Sequence, residues 1–218
     1  MELKINTGAK LAYPDLKVSV VEVSFADELK FNQEIIGLKK KLESKVRGDY
    51  KNPENLARVI KYNLFYKKFG SKVPMEFQIK SVLNNKEIPM MHPALTCMFM
   101  AELKNIILTA GHDLDKLEAD AIEVLRSNGT EEYTKINEKA QKLKNNDIFA
   151  IDGTGVISSV LYGPDSRTKI TAETKNFLFM CYSFGLNNEE IESHMNDILS
   201  YLRILTNDTL ESKPIRIV

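Results

Sequence analysis

Two apolar spacings alternate along the chain and predict its elements. Leu16 to Phe25 places Val18, Val20, Val21, Val23 and Phe25 at or near period two, the signature of a largely buried strand. Ala26 to Val46 reads as a helix weakened by Gly37 and closed by Gly48. Asn52, Pro53 and Glu54 form a helix start, with Leu56, Val59, Ile60 and Leu64 as its apolar face and Gly70 as its stop. Val73-Pro74 opens a short helix ending near Asn84-Asn85, with Phe77, Val82 and Leu83 directed to the core. Pro89 and His92-Pro93 punctuate a loop. From Ala94, Leu95, Met98, Phe99, Leu103 and Ile106 recur at helical spacing, and this helix is expected to run to Gly111.

The second half is read the same way. Ala121 to Arg126 alternates like a strand and Asn128-Gly129 marks a turn. Glu131 to Asn146 is polar and lysine-rich, a surface excursion. Ile148 to Ile151 and Val156 to Tyr162 are two strands of a hairpin joined at Asp152 to Gly155. Those glycines serve the turn, because a P-loop or dinucleotide fingerprint requires a helix directly after them. Thr171 is expected to cap a helix from Ala172 to Phe184, closed by Gly185. Asn188 is expected to cap a last helix with the stripe Ile191, Met195, Ile198, Leu199 and Leu202, and the tail KPIRIV adds an edge strand.

Composition narrows the class. At 218 residues with 43% hydrophobic and 28% charged residues, the chain is expected to form a single domain, residues 1–218, in the cytoplasm; no secretory leader pattern opens it. Cys97 and Cys181 lie inside apolar patterns without metal-type spacing and read as reduced core thiols. The zero net charge hides an asymmetry: residues 1–80 carry 16 Lys/Arg against 10 Asp/Glu. Between Lys39 and Lys72, 11 basic residues face only Glu43, Asp49 and Glu54. Such a patch is either a set of solvated helix faces or a local attractor for phosphates.

The densest polar chemistry is GHDLDKL, Gly111 to Leu117. His112 there suits acid, base or hydrogen-bond anchor work near neutral pH, and equally a capping or surface role. A metal site from His92, His112 and Asp115 has no standard ligand spacing. There is no GxSxG elbow, neither cysteine has a histidine nearby in sequence, and His194 reads as a partly buried or surface residue of the last helix. No cofactor is expected.

The segment IPMMHPALTCMFMAELKNIILTAGHDLDKL, followed by SRTKITAETKNFLFMCYSFG, resembles free-standing B3/B4-type relatives of the tRNA-editing domain in the phenylalanyl-tRNA synthetase beta subunit. The likeness covers Lys72 to Leu205; residues 1–70 match only in general pattern, a strand followed by basic helices. The resemblance implies an α+β fold with a central mixed β-sheet flanked by helices. It implies hydrolysis of mischarged aminoacyl-tRNA in trans, or a tRNA- or RNA-binding module that has lost hydrolysis, without aminoacylation activity. Carried over by motif, His112 and Glu173 (in ETKN) line the pocket, with Asp113 and Arg167 as further substrate-binding candidates. On this reading Glu173 anchors the amino group of the amino acid, and backbone amides near Asp152 to Gly155 or Gly163 hold the carbonyl. Lys39, Lys40, Lys41, Lys61, Lys67 and Lys68 would meet the tRNA backbone. Two departures bear on specificity. Thr96 and Phe99 stand where the family usually carries an aspartate and an asparagine, and YGPDSRTKI replaces its double-glycine segment.

Overall fold

In the computed structural model, which describes residues 1–26, 28–118 and 121–218, twelve strands and six α-helices follow one another. The first part runs β1 (Glu2–Ile5), α1 (Thr7–Ala12), β2 (Leu16–Ser24), α2 (Gln33–Asp49), α3 (Ala57–Tyr66), α4 (Pro74–Leu83) and α5 (Pro93–Asn105). Then come β3 (Leu108–Asp113), β4 (Ala121–Arg126), β5 (Glu132–Thr134), β6 (Ala140–Lys142), β7 (Ile148–Ile151), β8 (Val156–Ser159), β9 (Gly163–Pro164) and β10 (Asn176–Phe184). The chain closes with α6 (Asn188–Thr206), β11 (Glu211–Ser212) and β12 (Arg216–Ile217). The class is α+β, with mixed sheet and helices as the resemblance implied.

The chain divides into two compact units, neither continuous in sequence. One comprises Met1–Ser24, Ala110–Leu186 and Ser212–Val218; the other comprises Phe25–Thr109 and Asn187–Glu211.

The first unit is built on strands. One sheet has the order β1-β4-β7-β8-β9, with β1 parallel to β4 and the remaining pairs antiparallel. A second has the order β11-β2-β10-β3, with β12 also on β2. Its centre is the nine-residue antiparallel pairing of β2 with β10, from Asn176 opposite Ser24 to Phe184 opposite Leu16. Both strands are buried on both faces, which explains why their sequences are continuous apolar runs rather than alternations. A hydrogen bond of 2.6 Å between the hydroxyls of Ser158 on β8 and Tyr182 on β10 ties the two sheets together. The carboxylate of Glu22, buried on β2, is met by Lys213 at 2.6 Å, by Arg216 and by the Met1 ammonium at 3.1 Å, holding the predicted edge strand in place.

Several expectations for this unit are corrected. Ala172 to Phe184 is not a helix: residues 171–174 turn, with the Thr171 amide donating to Thr174 Oγ1 at 3.0 Å, and β10 follows. Gly111 does not stop a helix but sits inside β3. The excursion at 131–146 is the β5–β6 hairpin, and it is anchored by the buried side chains Tyr133 and Leu143. The hairpin around Asp152 to Gly155 and the turn at Gly129, whose φ is +88°, follow the sequence reading.

The second unit is helical. Helix α2 begins later than the pattern suggested, at Gln33, because Asn32 caps it by accepting from the Ile35 amide at 2.9 Å; Gly48 lies inside its last turn, and Asp27 falls outside the described residues. On α3 the buried positions are Val59, Tyr62, Asn63, Phe65 and Tyr66, while Ile60 and Leu64 are exposed. The aromatic rings remove more apolar area from water than the aliphatic alternative and decide the helix's rotation. Phe77 of α4 is exposed as well, whereas Val82 is buried. Helix α6 is capped by Asn187, one residue before the expected Asn188, in a reciprocal box with Glu190. Its stripe Ile191, Met195, Ile198, Leu199 and Leu202 is buried throughout.

Helix α5 ends at Asn105, where Ile106 adopts φ +54°. A β-branched residue in the left-handed region costs about 1 to 3 kcal/mol. Fixed hydrogen bonds hold the turn in that shape: the Ile106 amide bonds to the Glu102 carbonyl at 2.6 Å, and the Thr109 amide bonds to the buried Glu102 carboxyl at 2.6 Å. His194 is fully buried in α6, with Nε2 at 2.7 Å from Thr109 Oγ1, so it is an interior strut rather than a surface residue. Cys97 and Cys181 are both fully buried.

Candidate functional site

His112 is the fifth residue of β3 and has no exposed surface. Its Nδ1 lies 2.7 Å from the hydroxyl of Thr168. That hydroxyl gives its proton to Asp165, whose carboxylate also accepts the Thr168 amide at 3.1 Å. With the threonine proton spent, Thr168 Oγ1 accepts from His112 Nδ1–H, and the neutral ring keeps its lone pair on Nε2. Among the described residues Nε2 has no partner. Burial, reinforced by the Arg167 charge and opposed by Asp152, lowers the His112 pKa to about 4, so the ring is neutral at pH 7. A neutral imidazole with a fixed tautomer and an unused acceptor is equipped to orient a hydroxyl or a water, or to take a proton.

The neighbouring residues hold this arrangement. The Asp113 amide bonds to the Thr168 carbonyl at 2.7 Å. The Asp113 carboxylate accepts the Thr174 hydroxyl at 2.7 Å and the Asp115 amide at 3.2 Å, with Lys116 at 3.2 Å. Asp115 in turn accepts twice from the Asn176 amide group at 2.9 Å. The 113–116 turn is thereby stitched to the 174–176 segment, bringing the two motifs of the sequence together. Glu173 is the exposed residue beside Thr174, and a hydrogen bond from Thr171 lowers its pKa.

Arg167 places one guanidinium nitrogen 2.9 Å from both oxygens of Asp152 and another 2.7 Å from the Lys116 carbonyl. Asp152 also accepts from the amides of Glu118 and Thr154 at 2.9 Å and of Gly155 at 3.1 Å. Burial alone would raise its pKa, but these bonds outweigh it and the net shift is downward. The Thr154 and Gly155 amides are thus committed inside the loop, and the Gly153 amide bonds to the Glu118 carbonyl, so the expected role for these amides on a carbonyl does not fit the geometry. Gly163, at φ +83°, is occupied by β9 pairing and by the Tyr133 hydroxyl on its carbonyl at 2.7 Å.

Of the lysines, Lys40 and Lys41 on α2, Lys61 on α3, and Lys67 and Lys68 in the 3-10 turn Lys67–Phe69 are exposed. Lys39 is not. It is buried, with its ammonium 2.9 Å from Glu43 and 2.7 Å from Glu87, and offers no charge to a phosphate. Among the described residues no group of three or more His, Cys, Asp or Glu is placed to hold a metal ion. Sequence reasoning passed over Thr168, Asp165 and Thr174. The Asp165-x-x-Thr168 spacing, a local carboxylate-to-hydroxyl turn pattern, was the signal for the first two.

Residues 96–198 match the family model of the B3/4 domain. The match takes in just under half of the chain. The matched span opens in α5, contains β3 to β10 and closes in α6, so every residue of the His112 site lies within it. The fold is similar to that of an N-terminal fragment of the phenylalanyl-tRNA synthetase beta subunit from Pyrococcus horikoshii, with a TM-score of 0.50 and 13% sequence identity. The comparison covers 97% of this chain and 50% of that fragment, so this chain spans about half the fragment's length. No curated protein sequence matches it. Among the described residues no helix is long and apolar enough to cross a membrane.

Proposed function

We propose that this chain is a B3/B4-type protein that binds tRNA in the cytoplasm and hydrolyses mischarged aminoacyl-tRNA in trans. The observation that carries the reading is the His112 ring, neutral and locked by Thr168 and Asp165, with Nε2 unpartnered among the described residues and inside the span that matches the B3/4 model. An aminoacyl ester is already activated, so a strong nucleophile is unnecessary; positioning a water or the terminal ribose hydroxyl against Nε2 suffices. Glu173 supplies a carboxylate for the substrate ammonium. Asp113, through its bonds to Asp115 and Thr174, and the paired Asp152 and Arg167 act as positioning residues. The exposed Lys40, Lys41, Lys61, Lys67 and Lys68 meet the nucleic-acid backbone, so binding weakens steeply with salt.

The second reading, a tRNA-binding module without hydrolysis, is favoured by the complete burial of His112. The two separate in one experiment. Amino-acid release is followed from a panel of mischarged tRNAs with the parent, His112→Ala and Glu173→Ala, folding being checked by circular dichroism. Editing requires release by the parent and its loss in His112→Ala. Release unchanged in both variants removes the site assignment, and tRNA binding without release from any member of the panel leaves the binding module.

A further inference from the structure

The helical unit contains a cavity of about 240 Å³ that the reading above does not use. Its walls are Val82 from α4, Ile88, Pro89 and Met91 from the loop after α4, and Phe99 and Leu103 from α5. An apolar cavity of 150 Å³ is already large enough to hold benzene, so this one accommodates a single ring with a short substituent. The wall is preformed. The Ile88 amide is bonded to the buried Glu43 carboxylate at 2.7 Å, Thr96 Oγ1 bonds to the Pro89 carbonyl at 3.2 Å, and the Glu87 side chain is held by Lys39. A loop pinned at three successive residues does not collapse to fill the space. Met91, half in solvent, adds an adaptable thioether to the lip.

The charges around the mouth are lopsided. Lys86 and Glu87 both line it. The Glu87 carboxylate is ion-paired with Lys39 and lies within the fields of Lys40 and Arg47. Lys86 is exposed, and among the described residues no carboxylate pairs with it. The apolar interior therefore opens onto a net cationic rim with one ammonium available.

We propose that this cavity is a binding site for a small amphipathic anion, an apolar ring or short chain seated against Val82, Ile88, Phe99 and Leu103 with its carboxylate on Lys86. The lining shares no residue with the His112 group, and the proposal does not depend on the role proposed there. An interior apolar surface selects the body of the ligand, and the rim selects its charge.

The probe pair is 3-phenylpropionate and its uncharged amide, nearly identical in shape, titrated into the full chain and followed by chemical shifts of the lining residues. Saturable binding of the acid at or below about 1 mM is expected, the affinity that a ligand of this size reaches at ordinary efficiency. The acid should bind about threefold to fivefold more tightly than the amide at low salt, and the preference should shrink as salt is raised. Lys86→Met should abolish the preference while leaving amide binding intact, and Ser81→Phe, which enlarges a side chain of α4 that also lines the cavity, should remove both. Equal affinity for acid and amide in the parent, a preference retained in Lys86→Met, or no saturable shift of the lining residues overturns the proposal. The acid–amide comparison in the unaltered protein decides the question even if a variant misfolds.

Discussion

Replacing His112 by glutamine tests the buried neutral imidazole through stability, independently of any substrate. In the folded chain the His112 pKa lies at about 4, against 6.5 for an unperturbed histidine. The unfolded chain therefore takes up a proton first as pH falls. The contribution of this group is complete above 6.5, erodes as pH drops through that value, and is exhausted below 4. Linkage over that interval gives about 2 kcal/mol lost between pH 7.5 and pH 5, and about 3 kcal/mol in the acid limit. Other buried groups move the absolute curve. Glu102 and Asp147, raised by burial to about 8 and about 7, lose stability as pH rises, so only the difference between parent and variant isolates the histidine. Glutamine keeps a donor for Thr168 and does not titrate. Urea unfolding of parent and His112→Gln at pH 7.5, 6 and 5 should show their stability gap closing by about 2 kcal/mol toward acid, at unchanged m-value. Parallel stability curves across that range would refute the buried neutral ring.

Two further outcomes follow from the ion pairs. Lys39→Met leaves Glu43 buried with the Ile88 amide and a guanidinium at 4.0 Å, and should cost about 3 kcal/mol in denaturant melts; adding Glu43→Leu should recover much of it, and under the proposed function the salt dependence of tRNA binding should not change. Asp152→Ala strips the Glu118, Thr154 and Gly155 amides and Arg167 of their shared acceptor; we expect about 2 to 3 kcal/mol of destabilisation and faster hydrogen exchange at those three amides, and unchanged exchange would contradict the loop's dependence on that carboxylate.

Elements whose period was unambiguous were legible. Ala121 to Arg126 alternates and is β4 at those bounds, and the five-position stripe of α6 is buried as spaced. The failures have a common cause. NFLFMCYSF is apolar at nearly every position, which suits a strand buried on both faces as well as an interior helix; its pairing with β2, far away in sequence, settled the outcome. The end of α5 was hidden for a different reason. Glycine is the usual residue for a left-handed stop, but here the stop is Ile106, held by contacts with Glu102 and the following turn rather than by its own preference. The site divides along the same line. His112, Asp113 and Arg167 could be named from their motifs and Thr168 from its spacing to Asp165, while the pairing of Thr168 with His112 and of Thr174 with Asp113 emerges only with the 113–116 turn and the 165–174 segment in contact.

The interleaving of the two units has a consequence for anyone cutting this chain. The matched span, residues 96–198, excludes β2, and β2 supplies the nine-residue partner of β10. A fragment with those limits would present β10 as a long, flat, apolar edge with one side unpaired, the kind of strand that recruits further copies of itself. It should precipitate or form β-rich aggregates. Partners separated by some 150 residues also make this sheet a late event in folding, since loop closure must precede the pairing that rewards it. The boundaries of the family and the boundaries of an autonomous folding piece are, in this chain, different places.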